Sequence, residues 1–373
     1  MRLSPVAVVL ALFVLSACAP ADLDPALEGG EVSVKGGTDE TGPYDVVPQW
    51  QKPAKNHDDT WTWGVGASVV ADTPDRIFIV TRGDVRKDDP ASGDRRRTNY
   101  VVVVDRNGNE IENWSQWDTM LVAPHSIAIS PYDPERHIWI QDNTRQQVWK
   151  FTNDGQLVQT WGEANVIGDD ENHFNGVASI AFLPDGSVLF GDGYVGQRVV
   201  KYDADGEYVT EWGANGPMPF DHIHALAVDS QGRVIVADRD NSRLQVFTEN
   251  GEFIEEWPNV RRPNSIHVDA EHNVWVLDGR AGMGRLLKYD EAGILQDYWG
   301  VGGGVCVPAG PQRSRVEAST CAPGAMSNPH GISVDSEGTL YIADYNNNRV
   351  QKFVPKPGAD PARLVGQPLL LSD

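Results

Sequence analysis

Basic residues are scarce in this chain. Its 373 residues carry 31 Lys and Arg against 53 Asp and Glu, a formal charge of −22. Duplex phosphates would be repelled rather than neutralised, which argues against a nucleic-acid binder. The same imbalance points to an acidic surface suited to holding cations. Long apolar runs are missing too. The stretch Val6 to Leu15 is too short and too weakly flanked for a stable membrane span. Wholesale disorder is excluded as well, because 40% of the residues are apolar and 9% aromatic. Gly 37 and Pro 24 favour tight turns over long helices. The length suggests two or three ordinary domains, but a large all-β fold can use this much chain as one unit.

Met1-Arg2, the apolar run and the small residues after it read as a secretory signal. Leu15-Ser16-Ala17-Cys18 resembles a bacterial lipobox. It predicts cleavage before Cys18, lipidation of its thiol and, with Ala19 next, sorting to the outer membrane. The protein is then anchored on the periplasmic side or the cell surface, or is periplasmic or secreted if Cys18 is not lipidated. Cysteine numbers only three. Once Cys18 is set aside, Cys306 and Cys321 remain, and outside the cytoplasm they most simply form a disulfide. A loop of that length would stabilise by roughly 3 kcal/mol in the chain-entropy model.

What the chain has in abundance is repetition. Trp114, Trp161, Trp212, Trp257 and Trp299 recur at spacings of 47, 51, 45 and 42 residues. Each is preceded by a stretch such as QRVVKYDADGEYVTEW or SRLQVFTENGEFIEEW, in which two alternating runs flank an Asp/Asn-Gly turn, a hairpin signal. Two more strand-like runs precede each hairpin, for example HALAVD and RVIVAD around Ser230-Gln231-Gly232. Four short strands every 40–50 residues mark a propeller blade. The pattern in DNTRQQVWKF, DRDNSRLQVF and DYNNNRVQKF resembles the NHL repeat. The expected fold is therefore all-β, a six-bladed β-propeller. Its blades begin near residues 63, 121, 175, 221, 263 and 328, and a segment around Val46-Val47 supplies the last strand and closes the ring. The expected boundaries are 1–17 for the signal peptide, 18–60 for the lipidated Cys and tether with the ring-closing strand, 61–356 for the propeller and 357–373 for a tail.

One column of the repeat alternates. The inner strands lead with Ala67, His125, Ala178, His224, Asn264 and His330, so blades two, four and six carry His. Alternate blades of a six-fold ring are related by about a three-fold rotation, which would bring three imidazoles to one point on the axis. Three nitrogens with an open fourth position suit a catalytic zinc. His222, two residues before His224, is a possible substitute ligand; His57 and His137 lie in polar contexts and need no such role. A second column ends the second strand with Asp142, Asp192, Asp238, Asp278 and Asp344, read as turn caps, and with Arg82 in blade one. A guanidinium there can hold a carboxylate bidentately. Tyr194 follows just past the blade-three position.

Taken together, TRGD (81–84), PHSIAI (124–129), FGDGYVGQRVVKY (190–202), the stretch 224–247 with ADRDN, and NPHGISVD from 328 resemble the peptidyl-α-hydroxyglycine α-amidating lyase family. The resemblance implies zinc on His125, His224 and His330. It also implies Arg82 and Tyr194 as catalytic and Arg239 as a further arginine meeting the substrate. A family calcium would use main-chain carbonyls of Val69 and Ile127 plus an Asp after the third His, but Gly331 stands there. Asn328 occupies the place of the family's Met, with Met326 two residues earlier, and Ile223 replaces a proline. The implied reaction cleaves the C–N bond of a peptide or small-molecule α-hydroxyglycine to an amide and glyoxylate, with Tyr194 as general base. The competing expectation is a non-enzymatic NHL-propeller binding module of the cell envelope that needs no metal. A third is a metal-dependent hydrolase or lactonase, though such sites usually hold calcium with Glu, Asp and Asn. Nucleic acid is not an expected partner, and the membrane is met only through the anchor on Cys18.

Overall fold

The computed structural model describes residues 35–36, 41–88, 94–213, 219–300 and 322–370. Cys18, Cys306 and Cys321, with the signal, lipidation and disulfide expectations attached to them, lie outside these residues. No helix among the described residues is long and apolar enough to cross a membrane.

Alternation of β-branched and aromatic residues with polar ones yields strands of about five residues, paired antiparallel into six blades. Blade one is Gly66–Thr73, Arg76–Thr81, Val101–Val104 and Glu110–Asn113. Blade two runs Pro124–Ile129, Ile138–Asp142, Gln147–Phe151 and Leu157–Trp161. Blades three, four, five and six start from inner strands Val177–Phe182, Ile223–Val228, Pro263–Val268 and Pro329–Val334. Blade six takes its outer strand from earlier in the chain: Tyr44–Val47 pairs antiparallel with Arg349–Pro355. A three-stranded sheet of Trp61–Trp63, Asp84–Arg86 and Arg95–Arg96 sits beside blade one. Each blade packs on the next, and blade six returns to blade one, so the ring is closed.

The core lies in the seams. Six apolar clusters each straddle two neighbouring blades, for example Phe78 and Val103 of blade one against Ile138 and Trp149 of blade two. The last seam joins Val69 and Ile77 to Tyr341 and Ala343 of blade six. The recurring Trp explains itself here. Trp114 lies over the turn at Gly155 of the following blade, Trp161 over Gly206, Trp212 over Gly251 and Trp257 over Gly293. Trp299 lies over Gly42, beside the closing strand. A methyl on any of these glycines would come within 2.2–2.9 Å of the indole, and each has positive φ, so the turn glycine and the Trp are one device.

A cavity of about 260 Å³ runs down the axis between the inner strands. Pro368 and Leu369 of the chain's end line it, with Leu369 N–H donating to Val268 O at 2.9 Å. Val268 ends the inner strand of blade five, so the tail lies toward the opposite end of the cavity from Asn264.

Candidate metal centre

Every inner strand carries a bulge at the same place. The ladder skips one residue between Gly66 and Ser68, Pro124 and Ser126, Val177 and Ser179, Ile223 and Ala225, Pro263 and Ser265, and Pro329 and Gly331. The residues skipped are Ala67, His125, Ala178, His224, Asn264 and His330. A bulge re-aims a side chain out of the pleat. In the three even blades it turns an imidazole to the axis.

The three rings form a nearly equilateral triangle, with centroids 4.8 Å apart for His125 and His224 and 4.7 Å apart for each other pair. One ligand nitrogen from each lies within 4.8 Å of the others. All three side chains are buried. Each Nδ1 lies against a carbonyl of the next, odd-numbered blade: His125 on Ala178 O at 2.7 Å, His224 on Asn264 O at 2.8 Å and His330 on Ala67 O at 2.7 Å. A carbonyl only accepts, so the proton sits on Nδ1 and the Nε2 lone pairs are left for a ligand. Burial is the main cause that holds His125 and His224 well below the ordinary imidazole value and brings His330 down to about 3. The charge of Arg82 or Arg239 adds to it. Neutral imidazoles with a fixed tautomer are what a divalent transition metal requires, so the residues fit the ion that their pattern suggests.

The loops that deliver these histidines are tied down by the Asp column. Asp142 Oδ2 accepts from Val122 N and Ala123 N at 2.7 and 2.8 Å, just before His125. Asp238 accepts from Asp221 N, and Asp344 from Ser327 N, both at 2.7 Å. Asp142 also caps the turn after it, through Thr144 N and Arg145 N. The sequence reading saw only that second function.

Arg82 requires a correction of register. Blade one places Thr81, not Arg82, in the Asp column, since Gly66 pairs with Thr81 as Pro124 pairs with Asp142. Arg82 stands one residue on, where blade four has Arg239 and blade six has Tyr345. These three gather at the histidine end. Arg82 Nη1 donates to the Tyr345 hydroxyl at 2.8 Å, and the Tyr345 ring lies 4.9 Å from His330. Across the triangle, the Tyr194 hydroxyl stands 3.0 Å from His125 Nε2 and 3.5 Å from His224 Nε2. The Arg239 guanidinium lies 5.4 Å from the centre of the Tyr194 ring.

His222 does not join the triangle. Its left-handed backbone, φ 64°, takes it out of the strand alternation that seemed to align it with His224. It lies instead with Asp221 and Asp240, its Nδ1 2.6 Å from Asp240 Oδ2, and its ring meets the Tyr194 ring edge-on at 4.9 Å. His57 pairs with Asp84 and His137 with Asp133. The calcium expectation finds little support in the donor set. Val69 and Ile127 line the axial cavity, but among the described residues no Asp or Glu does. A side chain begun at Gly331 would meet Ser68 Cα at 3.0 Å. Met326 is buried in the core of blades five and six. Tyr345 escaped the sequence reading because it lies one place past the column that was compared; shifting that column by one would have grouped it with Arg82 and Arg239.

Comparison with known proteins places the chain among similar sequences and folds. The NHL repeat matches residues 220–247 and 326–353, the first three strands of blades four and six. The chain is 28% identical over 271 residues to peptidylglycine alpha-amidating monooxygenase of Rattus norvegicus, covering 68% of this chain and 25% of that protein. It is 27% identical over 294 residues to peptidyl-alpha-hydroxyglycine alpha-amidating lyase 1 of Drosophila melanogaster, covering 73% and 51%. NHL repeat-containing protein 3 of Homo sapiens is 28% identical over 257 residues, covering 64% and 69%. The chain thus spans about a quarter of the first of these amidating enzymes and about half of the second. Among solved structures, a streptogramin B lyase superposes with a TM-score of 0.52 at 14% identity, covering 79% of this chain and 94% of that one. A gluconolactonase from Xanthomonas campestris gives 0.52 at 13%, covering 85% and 98%. Those two likenesses show the fold alone.

Fold and repeats make the chain an NHL-repeat β-propeller. Within that class it is similar, at 27–29% identity, to peptidyl-α-hydroxyglycine α-amidating lyases and to the amidating monooxygenase.

Proposed function

We propose that the chain is a zinc-dependent carbon–nitrogen lyase that cleaves an α-hydroxyglycine, R–CO–NH–CH(OH)–COO⁻, to the amide and glyoxylate. One observation carries the reading. Three buried imidazoles turn fixed, unprotonated Nε2 atoms to one point, and a tyrosine hydroxyl stands 3.0 Å from one of them. His125, His224 and His330 would hold the ion, and zinc bound there supplies Lewis acidity toward the substrate's hydroxyl. Tyr194, acting in its phenolate form, takes the proton from that hydroxyl as general base. As the O–H electrons form the aldehyde carbonyl, the C–N bond breaks, and the proton returns to the departing amide nitrogen. Arg239, against the Tyr194 ring, and Arg82, held by Tyr345, place positive charge on two sides of the reacting carbon. A tight, water-poor site strengthens such charges.

Elemental analysis of the purified protein should find about one zinc per chain, removed by a chelator, and the loaded protein should release glyoxylate from N-benzoyl-α-hydroxyglycine. A stoichiometric metal without glyoxylate release points to another reaction at the same centre. A protein that binds no metal and tolerates Gln at all three histidines would be the envelope binding module instead, a reading that the likeness to NHL repeat-containing protein 3 keeps in view. Anchoring through Cys18 belongs to the proposal, and fatty-acid labelling of the native chain but not of Cys18→Ala tests it.

A further inference from the structure

The two arginines at the histidine end keep different company. Arg239 Nε lies 3.4 Å from Asp240 Oδ1, and the same carboxylate takes Arg262 Nη1 and His222 Nδ1. That side of the mouth already carries an anion. Arg82 has none: its Nη1 donates to the Tyr345 hydroxyl, and its Nε is buried without a partner. A second guanidinium meets the same stretch of backbone, for Arg95 Nη1 donates to the main-chain carbonyl oxygen of Arg82 at 3.2 Å. Among the described residues neither forms an ion pair. Burial first, and the like charge of Arg82 after it, pull the Arg95 guanidinium below its ordinary value. Two half-buried cations on one stretch of backbone, in a chain of net charge −22, are an arrangement that an anion completes.

We infer that Arg82 and Arg95 form an anion subsite that takes the substrate's carboxylate, and that Arg95 sets the preference for a carboxylate over a neutral group. The inference rests on the lyase reading for the identity of the anion. It also orients the substrate. The carboxylate lies toward blades one and six, and the amide nitrogen is turned across the triangle to the Tyr194 side, where its proton is delivered. The tyrosine and the carboxylate-binding arginines then serve opposite ends of one small molecule.

The test is a binding measurement on the zinc-loaded protein. N-benzoylglycine keeps the carboxylate and lacks the reacting hydroxyl, and N-benzoylglycinamide is its neutral counterpart. By calorimetry the native protein should bind the acid more tightly than the amide. Arg95→Gln should weaken acid binding about tenfold or more, the factor expected for a hydrogen bond to a charged group, and leave amide binding and zinc content unchanged. Arg95→Lys, which keeps the charge but loses the planar fork, should fall between. Equal binding of acid and amide by the native protein overturns the subsite, as does acid binding indifferent to Arg95→Gln. Turnover is read separately. Arg95-dependent acid binding without glyoxylate release from N-benzoyl-α-hydroxyglycine would keep the subsite and remove the lyase reading.

Discussion

Blades two, four and six and blades one, three and five share one backbone design, yet they give the channel different atoms. At the same bulge the even blades present an imidazole, and the odd blades present a main-chain carbonyl that orients the imidazole before it. Toward the axial triangle, the side chain matters in one set and only the backbone in the other. Ala67, Ala178 and Asn264 can therefore differ while the histidines repeat. The alternation visible in the sequence is a division of labour between an imidazole and the carbonyl that orients it.

The largest test of that contrast replaces side chains in the even set. Alanine at His125, His224 or His330 should take zinc from about one per chain to none and bring glyoxylate release to background. Full zinc retained in any of the three would break the comparison. Next comes Tyr194→Phe, which leaves the triangle intact. Turnover should fall by about 10²–10⁴-fold with zinc still bound, since general-base assistance contributes that much. Unchanged turnover removes Tyr194 from the chemistry.

Acid should act on the even blades as well. His330 is held down to about 3 in the folded protein and titrates near 6.5 when unfolded, so the unfolded chain binds the extra proton between those values. Stability is thus fully present above pH 6.5 and is lost as pH falls toward 3. Melting temperature measured against pH on metal-stripped protein should drop more steeply below 6.5 in the native chain than in His330→Gln. Parallel curves would show that this imidazole is not the group titrating. The smallest effect belongs to the odd set. Asn264→Ala keeps the carbonyl that orients His224 but loses the Nδ2 bond to Pro329 O at 3.0 Å. It should cost about 1–3 kcal/mol in thermal unfolding and leave zinc stoichiometry intact. Loss of zinc there would blur the distinction between the two sets.

Much of this was legible because a repeat lets six segments be compared position by position. Trp and turn glycine marked the seams, and three histidines in one column marked the axis. What escaped depended on register or on contacts between distant segments. Arg82 was set one place off because Thr81, which donates to Asn99 O at 2.7 Å, fills the Asp position in blade one without resembling it. His222 looked aligned with His224 until its left-handed φ removed it from the strand. Arg95 belongs to a short sheet outside the repeat, so no column could expose its place beside Arg82.

Closure of the ring has a temporal consequence. Tyr44–Val47 waits for Arg349–Pro355 before it has a partner, and His330 belongs to the blade they complete. The imidazole of His330 in turn needs the Ala67 carbonyl across that last seam. A chain emerging amino end first therefore cannot assemble its histidine triad until nearly the whole propeller has been made. On the proposed reading, uptake of an ion would have to follow closure of the ring, and metal binding would report when the circle shuts.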